Sequence, residues 1–451
     1  MEAIPFARPY IGKEEEEAVL GVLRSGWLTT GKETLEFEKD FGDFLNGDSH
    51  QSGDSHLDDC PHCMAVNSAT SGLHLALDAI GIEKDDLVLV PSMTFTSTAE
   101  VVRYFGAEAV FVDVTKDGYH MDPAALESTL ARLATGQSAY PPRRDGGGDI
   151  GPRGKAKAVI PVHYGGLPCD MDAILPVARK YGLKVIEDAA HSFPSFVPEH
   201  SAEPRSGVAY GSPPDADRPH SSRTLPADGR KRSGRWAGLM GDVGVFSFYA
   251  TKTITTGEGG MVVTRDKAIA DRVRIMRSHG IDRSVWNRYT DTKASWYYEV
   301  VAPGFKYNIP DILSALGRVQ LRRAMDLLAM RQEIARRYDK AFAGLFTLPP
   351  TGPGDARHLY PLRLKGEKLS ISRNEFAEKL QNEGIGISVH FIPLHTMPYY
   401  KERYSLEDGD FPETLKTYGR TISLPIWPGM TEEQINRVIA VVKTTGSEYN
   451  K

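Results

Sequence analysis

The stretch F-S-F-Y-A-T-K-T-I-T-T-G-E-G-G, residues 246–260, places a single lysine, Lys252, between an aromatic run and a glycine-rich turn. No aspartate or glutamate lies within five residues of Lys252. An amine that is held out of water without an anionic partner has a lowered pKa and is nucleophilic near neutral pH. The stretch is therefore compatible with a reactive lysine and also with an ordinary solvated side chain.

Short apolar runs flank this stretch and recur towards the N-terminus, as a parallel α/β sheet requires. Helical periodicity separates several of them, as over Met121–Leu133 and Met171–Tyr181. Because the runs are apolar throughout, we expect an α/β fold with a mainly parallel seven-stranded sheet that helices cover on both faces. The predicted strands are Cys63–Val66, Leu87–Val90, Ala109–Asp113, Ala158–Val162, Leu183–Glu187, Val243–Ser247 and Gly260–Thr264.

The character of the sequence changes after residue 310. A long amphipathic pattern over Ile312–Phe342 predicts a helix that links a large domain, residues 1–315, to a small α+β domain, residues 316–451. The small domain is expected to contain strands at Leu359–Arg363 and Ile387–Phe391 and helices at Arg373–Glu383 and Glu432–Val442.

Three polar stretches interrupt the large domain, near residues 47–59, 135–155 and 196–236. They are rich in Gly, Pro, Ser and Asp and contain few large apolar residues. Such segments cannot bury enough surface to offset the entropy lost on ordering. We therefore interpret them as surface insertions into a compact scaffold.

Composition limits the class of protein. With 451 residues, of which 41% are hydrophobic, the chain can bury a large core. The net charge of −5 gives no electrostatic reason to expect binding to nucleic acid, and no apolar run is long enough to cross a membrane. Because the N-terminus lacks the pattern of a secretory signal and three cysteines do not make a disulfide framework, we expect a cytoplasmic protein.

The motif Cys60-Pro-His-Cys63 could indicate a redox or metal site. A metal site needs three or four ligands, and the third cysteine, Cys169, is isolated in the sequence. Cys63 also opens a predicted strand, whereas a helix N-terminus would be needed to stabilise a thiolate. We interpret the motif as a chance proximity and expect no metal site.

Three further segments follow predicted strands, at the edge of an open α/β sheet where ligands bind. Asn67–Leu73 has small hydroxyl residues and glycine before a helix, as in a phosphate cradle of free backbone N–H groups. Asp188, in Glu187–His191, could pair with a buried cationic ring nitrogen. Phe95, in Ser92–Thr96, could stack on a flat ring. Each feature alone is equally explained as a helix cap, a loop carboxylate or a core aromatic residue.

Together with Lys252, these segments fit pyridoxal 5′-phosphate (PLP). This cofactor needs a lysine for a Schiff base, a carboxylate at its pyridine nitrogen, a phosphate cradle and a flat side chain against its ring. The sequence supplies each of these groups after a strand of the same predicted sheet. The combination favours a reactive Lys252.

The ordered motifs resemble those of the DegT/DnrJ/EryC1/StrS family of PLP-dependent sugar-nucleotide aminotransferases. The resemblance covers nearly the whole chain apart from the three insertions. It implies a PLP-dependent transferase of fold type I, with a large α/β domain and a small C-terminal α+β domain. The matching segments are Ser25–Gly31, Asn67–Leu73, Pro91–Phe95, Glu187–His191, Ser247–Lys252, Gly257–Gly260, Gly304–Asp311 and Ser423–Gly429.

The resemblance implies a role for each matching residue at the cofactor. Lys252 would form the Schiff base and later move the proton. Asp188 would hold the pyridinium proton, and His191, where many members have Gln, would bond the 3′-oxygen. Phe95 would stack on the ring. The phosphate would be bound by Ser247, Thr70 and Ser71.

The resemblance also implies a homodimer with shared active sites. Asn308 of the partner subunit is the candidate to reach the phosphate, although many relatives have Arg two residues later, where this chain has Pro310. Trp27, Thr29 and Thr30 would lie close to the nucleotide-sugar substrate.

Within the family, Ser25–Gly31 and Pro303–Asn308 are most similar to enzymes that aminate C4 of a UDP-linked 4-keto sugar, with glutamate as the expected amino donor. Two alternatives remain. In the sugar dehydratases of the family a histidine replaces the lysine, so Lys252 argues against that activity. The second alternative is a non-catalytic regulator that binds PLP or a sugar nucleotide. The sequence has no DNA-binding segment or basic face that would support it.

Overall fold

The computed structural model describes residues 2–47, 60–142, 150–198, 234–282, 297–366 and 368–449. Residues 48–59 and 199–233, the larger parts of the first and third predicted insertions, and residues 143–149 of the second lie outside the described residues. At the base of the third insertion, the short strands Phe196–Pro198 (β6) and Gly234–Trp236 (β7) pair in antiparallel fashion.

The described chain alternates helices and strands in its first two thirds. Its helices are α1 Lys13–Ser25, α2 Lys32–Asn46, α3 Ala69–Ala79, α4 Ser97–Arg103, α5 Pro123–Ala134, α6 Met171–Lys180, α7 Lys267–Met276, α8 Asp311–Arg322, α9 Ala324–Phe342, α10 Arg373–Asn382, α11 Pro398–Tyr404, α12 Pro412–Tyr418 and α13 Glu432–Glu448. Its remaining strands are β1 His62–Val66, β2 Leu87–Pro91, β3 Glu108–Val112, β4 Ala156–Val159, β5 Lys184–Asp188, β8 Val243–Ser247, β9 Gly260–Thr264, β10 Tyr360–Arg363 and β11 Thr421–Leu424.

Seven strands form the main sheet, in the order β1-β9-β8-β5-β4-β2-β3. Neighbouring strands pair in parallel from β8 to β3, whereas β9 is antiparallel to both β8 and β1. All seven predicted strands are present. Their observed ends differ from the predicted ones by two residues or fewer, except that β4 ends at Val159 and not at Val162. The glycine turn after Lys252 lets β9 return beside β8. The strand order and pairing confirm the prediction of a mainly parallel seven-stranded sheet.

Burial explains why these runs became strands. Every residue of β2, β8 and β9 is buried, as expected for a sheet that helices cover on both faces. The helix α3 packs on β8 and β9, and Gly72 permits this contact because a Cβ there would lie 2.7 Å from Val245. The site at the strand ends thus rests on a fully packed layer.

The C-terminal part has its own apolar core and a two-stranded antiparallel sheet of β10 and β11. The prediction of a strand over Ile387–Phe391 is wrong, because only Ser388 bridges to Ser423 there and the segment instead borders the large cavity described below. The division of the chain at residues 315/316 stays a prediction.

The predicted helix over Ile312–Phe342 is interrupted at Arg323, which separates α8 from α9. The Arg323 guanidinium pairs with the buried carboxylate of Glu15 at 2.6 Å and lies over the Tyr10 ring at 5.0 Å. These partners come from the N-terminal segment. The interruption is therefore explained by a tertiary contact, whereas the amphipathic pattern itself is continuous.

Candidate active site

The carboxyl ends of the parallel strands face a cavity of about 440 Å³. Ligands of open α/β sheets bind at this edge. Its walls come from three sources: turns after the sheet strands, the N-terminal segment, and the C-terminal segments around residues 358, 390 and 426. The lining includes Ser68, Thr70, Phe95, Asp188, His191, Ser247, Tyr249, Lys252, Glu258, His358, His390 and Phe391.

Lys252 lies in the loop that joins β8 to β9. Thr255 fixes the shape of this loop: its hydroxyl donates to the Phe248 carbonyl at 2.9 Å and accepts from the Gly257 N–H at 2.8 Å. Burial lowers the pKa of Lys252 to about 8, against an opposing effect from Asp188 and a smaller lowering by Arg331. The side chain is therefore a partly deprotonated amine near neutral pH, as a nucleophile requires.

Asp188 is the last residue of β5 and is only 4% exposed. Its Oδ2 accepts a hydrogen bond from the Thr98 hydroxyl at 2.8 Å, and its Oδ1 accepts from the Ala190 N–H at 3.1 Å. Burial raises the pKa of Asp188, while these two bonds and the charge of Lys252 lower it. The carboxylate is thus held in place and would be compensated by a cationic ring nitrogen.

The neighbouring residue Glu187 points to the other face of β5 because side chains alternate along a strand. This fully buried carboxylate accepts hydrogen bonds from His163 at 2.7 Å and from the N–H groups of Gly238, Met240 and Gly241. These bonds fix the end of β5, and with it Asp188. Neither residue of this pair was predicted from the sequence as part of the site, although His163 directly follows a predicted strand.

Three histidines border Lys252: His191, His358 and His390. The ring centroids of His191 and His358 lie 4.6 Å apart. Burial and the positive charge of Lys252 lower the pKa of all three, to about 4 for His390. The Gly165 N–H donates to His191 Nδ1 at 3.3 Å, so the proton of the neutral ring is on Nε2. Only His191 was predicted from the sequence, since the other two follow no strand of the main sheet.

The N-terminus of α3 supplies the predicted phosphate cradle. Ser68 caps this helix by accepting from the Ser71 N–H at 3.1 Å, and Ser68 and Thr70 line the cavity. The Ser71 hydroxyl instead donates to Asn67 at 2.7 Å, within the cap. Ser247, at the end of β8, lines the same cavity as Thr70, so the structure brings these two predicted residues together.

Phe95 follows β2 and is 54% exposed although it lines the cavity. Its ring lies 5.9 Å from that of Phe391, and Phe391 in turn stacks on His191 at 5.6 Å. Tyr249 is also half exposed at this cavity. These aromatic rings thus form part of the cavity wall, with Phe95 and Tyr249 partly exposed to solvent.

The four remaining predicted residues lie elsewhere in the chain. Asn308 donates from Nδ2 to the Thr30 hydroxyl at 2.6 Å, and its buried Oδ1 has no hydrogen-bond partner among the described residues. Trp27 lines a different groove, of about 550 Å³, between α1 and α8. The Thr29 carbonyl accepts from the Asp311 N–H at 3.4 Å. Within one chain, none of the four contributes to the wall of the Lys252 cavity.

The residues of the cavity fit PLP. The N-terminus of α3, a helix of eleven residues, offers free N–H groups to a phosphate. Gly260 lets β9 approach this N-terminus, because a Cβ on residue 260 would lie 2.8 Å from the backbone nitrogen of Ala69. The buried carboxylate of Asp188 would hold the pyridine nitrogen. Lys252 would supply the amine. PLP, when bound, contributes an aldehyde and an electron-withdrawing ring.

The Cys60/Cys63 motif has no role at this cavity. Cys63 is buried, which raises the pKa of its thiol well above the usual value, and Cys60 accepts from the Asn46 side chain at 3.3 Å. Among the described residues, no group of three or more His, Cys, Asp or Glu is placed to hold a metal ion. None of the described helices is both long and apolar enough to cross a membrane.

The sequence matches the DegT/DnrJ/EryC1/StrS aminotransferase family over residues 9–443. It is 38% identical over 447 residues to SpsC, a spore coat polysaccharide biosynthesis protein of Bacillus subtilis, a match that covers 98% of this chain and 96% of that protein.

Solved structures give the same result. The structure resembles the PMP form of Spr1654, described as a sugar aminotransferase of Streptococcus pneumoniae, with a TM-score of 0.77, 26% identity and 99% of each chain covered. The PLP form of that protein gives a TM-score of 0.75 and 27% identity, with 99% of each chain covered. Helicobacter pylori PseC, an aminotransferase in pseudoaminic acid biosynthesis, gives 0.76 and 25%, with 99% of this chain and 100% of PseC covered. The chain belongs to the DegT/DnrJ/EryC1/StrS aminotransferase family and is a PLP-dependent aminotransferase of fold type I.

Proposed function

We propose that this protein transfers the amino group of an amino acid, L-glutamate, to the C4 keto group of a UDP-linked 4-keto sugar. The observation that carries the proposal is the cavity in which Lys252, with a pKa of about 8, faces the buried carboxylate of Asp188. The similarity to SpsC and to the two aminotransferases named above supports a sugar as the acceptor. The choice of UDP, C4 and glutamate rests on the resemblance of the Ser25–Gly31 and Pro303–Asn308 segments.

The residues of the chain divide the work between binding and proton transfer. Ser247, Thr70 and the α3 N-terminus would hold the phosphate, and Asp188 would keep the ring nitrogen protonated. Lys252, as a free amine, would move a proton to and from the carbon that exchanges its amino group. His191 would donate from Nε2 to the 3′-oxygen of the cofactor, since its Nδ1 already accepts from the Gly165 N–H.

The protein would act as a homodimer in the cytoplasm. Asn308, whose Nδ2 donates one N–H to the Thr30 hydroxyl, would use its second N–H to reach the phosphate bound by the partner subunit. The same interface would bring Trp27, Thr29 and Thr30 of one subunit to the nucleotide sugar of the other. This arrangement would give those four residues a role although they lie outside the Lys252 cavity of their own chain.

Spectroscopy of the two half-reactions tests the proposal. With PLP bound, addition of L-glutamate should replace the absorbance band of the lysine-bound cofactor by that of the aminated cofactor. Addition of a UDP-4-keto sugar should then restore the first band. The control is Lys252→Ala, which should bind PLP without either change. An unchanged spectrum of the wild-type protein with L-glutamate and other amino acids would contradict the proposal.

A further inference from the structure

His358 is the cavity residue whose hydrogen bonding is least explained. It is only 4% exposed, and its Nδ1 is buried without a hydrogen-bond partner among the described residues. An unprotonated nitrogen tolerates this better than an N–H group, so the proton belongs on Nε2. Because His358 lines the cavity, Nε2 is the nitrogen that a ligand can reach.

The backbone holds His358 rigidly in the cavity wall. Its carbonyl accepts from Arg331 Nη1 at 3.1 Å, and the next residue, Leu359, donates its N–H to the Gly165 carbonyl at 3.0 Å. Arg357, directly before it, has a φ of 46°, a left-handed conformation that costs energy for a non-glycine residue. Pairing of Arg357 with Asp339 and Asp355 stabilises this turn. The position of the His358 ring is therefore maintained at an energetic cost.

The surroundings of His358 favour an anion. The charges that act on its ring are those of Lys252 and Arg331, and the neighbouring rings are His191 and His390, all of which disfavour its protonation. Arg331 is buried, and burial alone lowers its pKa, to about 10, with no described carboxylate beside it. The two charges named as acting on His358 are thus positive and the neighbouring imidazoles are neutral, whereas the carboxylates that line the same cavity are those of Asp188 and Glu258.

The chemistry of transamination identifies the anion. The amino group of the donor must take the place of the Lys252 amine, and its α-carboxylate is attached to the same carbon. A donor bound there brings a carboxylate beside the residues that interact with Lys252, of which His358 is one. The phosphate of the cofactor, in contrast, has its own cradle at the N-terminus of α3.

We propose that His358 binds the carboxylate of the amino-acid donor through Nε2, with Arg331 holding its backbone and adding positive charge behind it. This inference rests on the proposed function and names the donor side of the same cavity. The acceptor sugar has no carboxylate near its keto carbon, so the contact should serve the donor half-reaction alone.

Binding of glutarate, the dicarboxylate that lacks the reacting amine, tests the inference in the full PLP-loaded protein by calorimetry. His358→Phe keeps the shape of a ring and removes both nitrogens, and His358→Gln keeps a donor. The matched control is His120→Phe, because His120 is equally buried but outside the cavity. Removal of one hydrogen bond to a charged group should weaken binding by about 10- to 100-fold.

We expect His358→Phe to weaken glutarate binding, and to raise the half-saturating L-glutamate concentration of the spectral change, by that factor. His358→Gln should lose much less. In both variants, the affinity for PLP and the half-reaction with the keto sugar should change by a smaller factor than the glutarate affinity of His358→Phe. If His358→Phe does not fold, His358→Leu takes its place.

Unchanged glutarate affinity in His358→Phe, or no glutarate binding by the wild-type protein, would overturn the inference. So would a loss confined to PLP binding or to the keto-sugar half-reaction, or an equal loss in His120→Phe. Failure of the proposed function has a different signature: the wild-type protein would then show no spectral change with any amino acid, whatever His358 does to glutarate.

Discussion

The hydrogen bond from Thr98 to Asp188 gives a prediction whose size follows from the structure. Replacing Thr98 with valine keeps the shape but removes the donor 2.8 Å from Asp188 Oδ2, and also the partner of the Thr94 hydroxyl, which lies 2.8 Å from that of Thr98. A bond to a charged group is worth about 1.5–3 kcal/mol and a neutral one about 1 kcal/mol. Thr98→Val should therefore lower the free energy of unfolding of the cofactor-free protein at pH 7 by about 2–4 kcal/mol.

The sign of the pH dependence follows from the same bond. Thr98 lowers the pKa of Asp188 against the effect of burial, so its removal raises that pKa further. A carboxyl group whose pKa is higher in the folded state destabilises the protein as pH rises through that value. The difference between Thr98→Val and wild type should thus be smaller at acidic pH than at pH 7.

Urea unfolding of the cofactor-free protein at several pH values measures both effects. Thr98→Ser is the matched control because it retains the hydroxyl, and it should lose less than half as much stability. In the PLP-loaded protein, the acidic limb of the half-reaction with L-glutamate should also move to higher pH in the valine variant. Equal losses in the valine and serine variants, or a loss independent of pH, would refute the electrostatic reasoning.

Three further predictions concern other parts of the site. Because the pKa of Lys252 is about 8, the rate at which the cofactor-free protein captures PLP should rise with pH and level off above that value; a rise that continues towards pH 10 would contradict it. Gly260→Ala should lower the free energy of unfolding by about 1–3 kcal/mol and weaken PLP binding, since its Cβ would meet backbone atoms at the α3 N-terminus. Gly21→Ala is the control, because Gly21 lies in open space on α1 and its replacement should not destabilise the protein. Equal melting temperatures for the two variants would contradict this prediction. Glu187→Gln should lower the free energy of unfolding in urea by about 2–6 kcal/mol, because its NH2 group replaces one carboxylate oxygen and leaves two buried donors without an acceptor. A loss below about 1 kcal/mol would show the network to be dispensable.

Much of the large domain could be predicted from the sequence because its signals are local. Fully buried parallel strands are short apolar runs, and all seven are visible as such, from Cys63–Val66 to Gly260–Thr264. The break at Arg323 and the irregular backbone of Ile387–Phe391 had no comparable signal. Both depend on partners distant in sequence, Glu15 in the first case and Ser423 in the second.

The site divides in the same way. Asp188, Ser247 and Lys252 lie at or after the carboxyl ends of strands of one sheet, so the sequence predicts that they meet at this edge. His358 and His390 come from the C-terminal part, where nothing local marks them as neighbours of Lys252. Ser71 shows the opposite case, since its hydroxyl is used within the helix cap.

The sequence by itself determined the order of the strands along the chain, the lysine, the carboxylate and the helix N-terminus, because each depends on residue type and short-range periodicity. Only the tertiary structure decided the pKa of Lys252, to which burial, Asp188 and Arg331 all contribute. It also decided that neutral histidines surround that amine. The physical reason is that desolvation and Coulomb interactions depend on distances across the fold, which residue spacing along the chain does not specify.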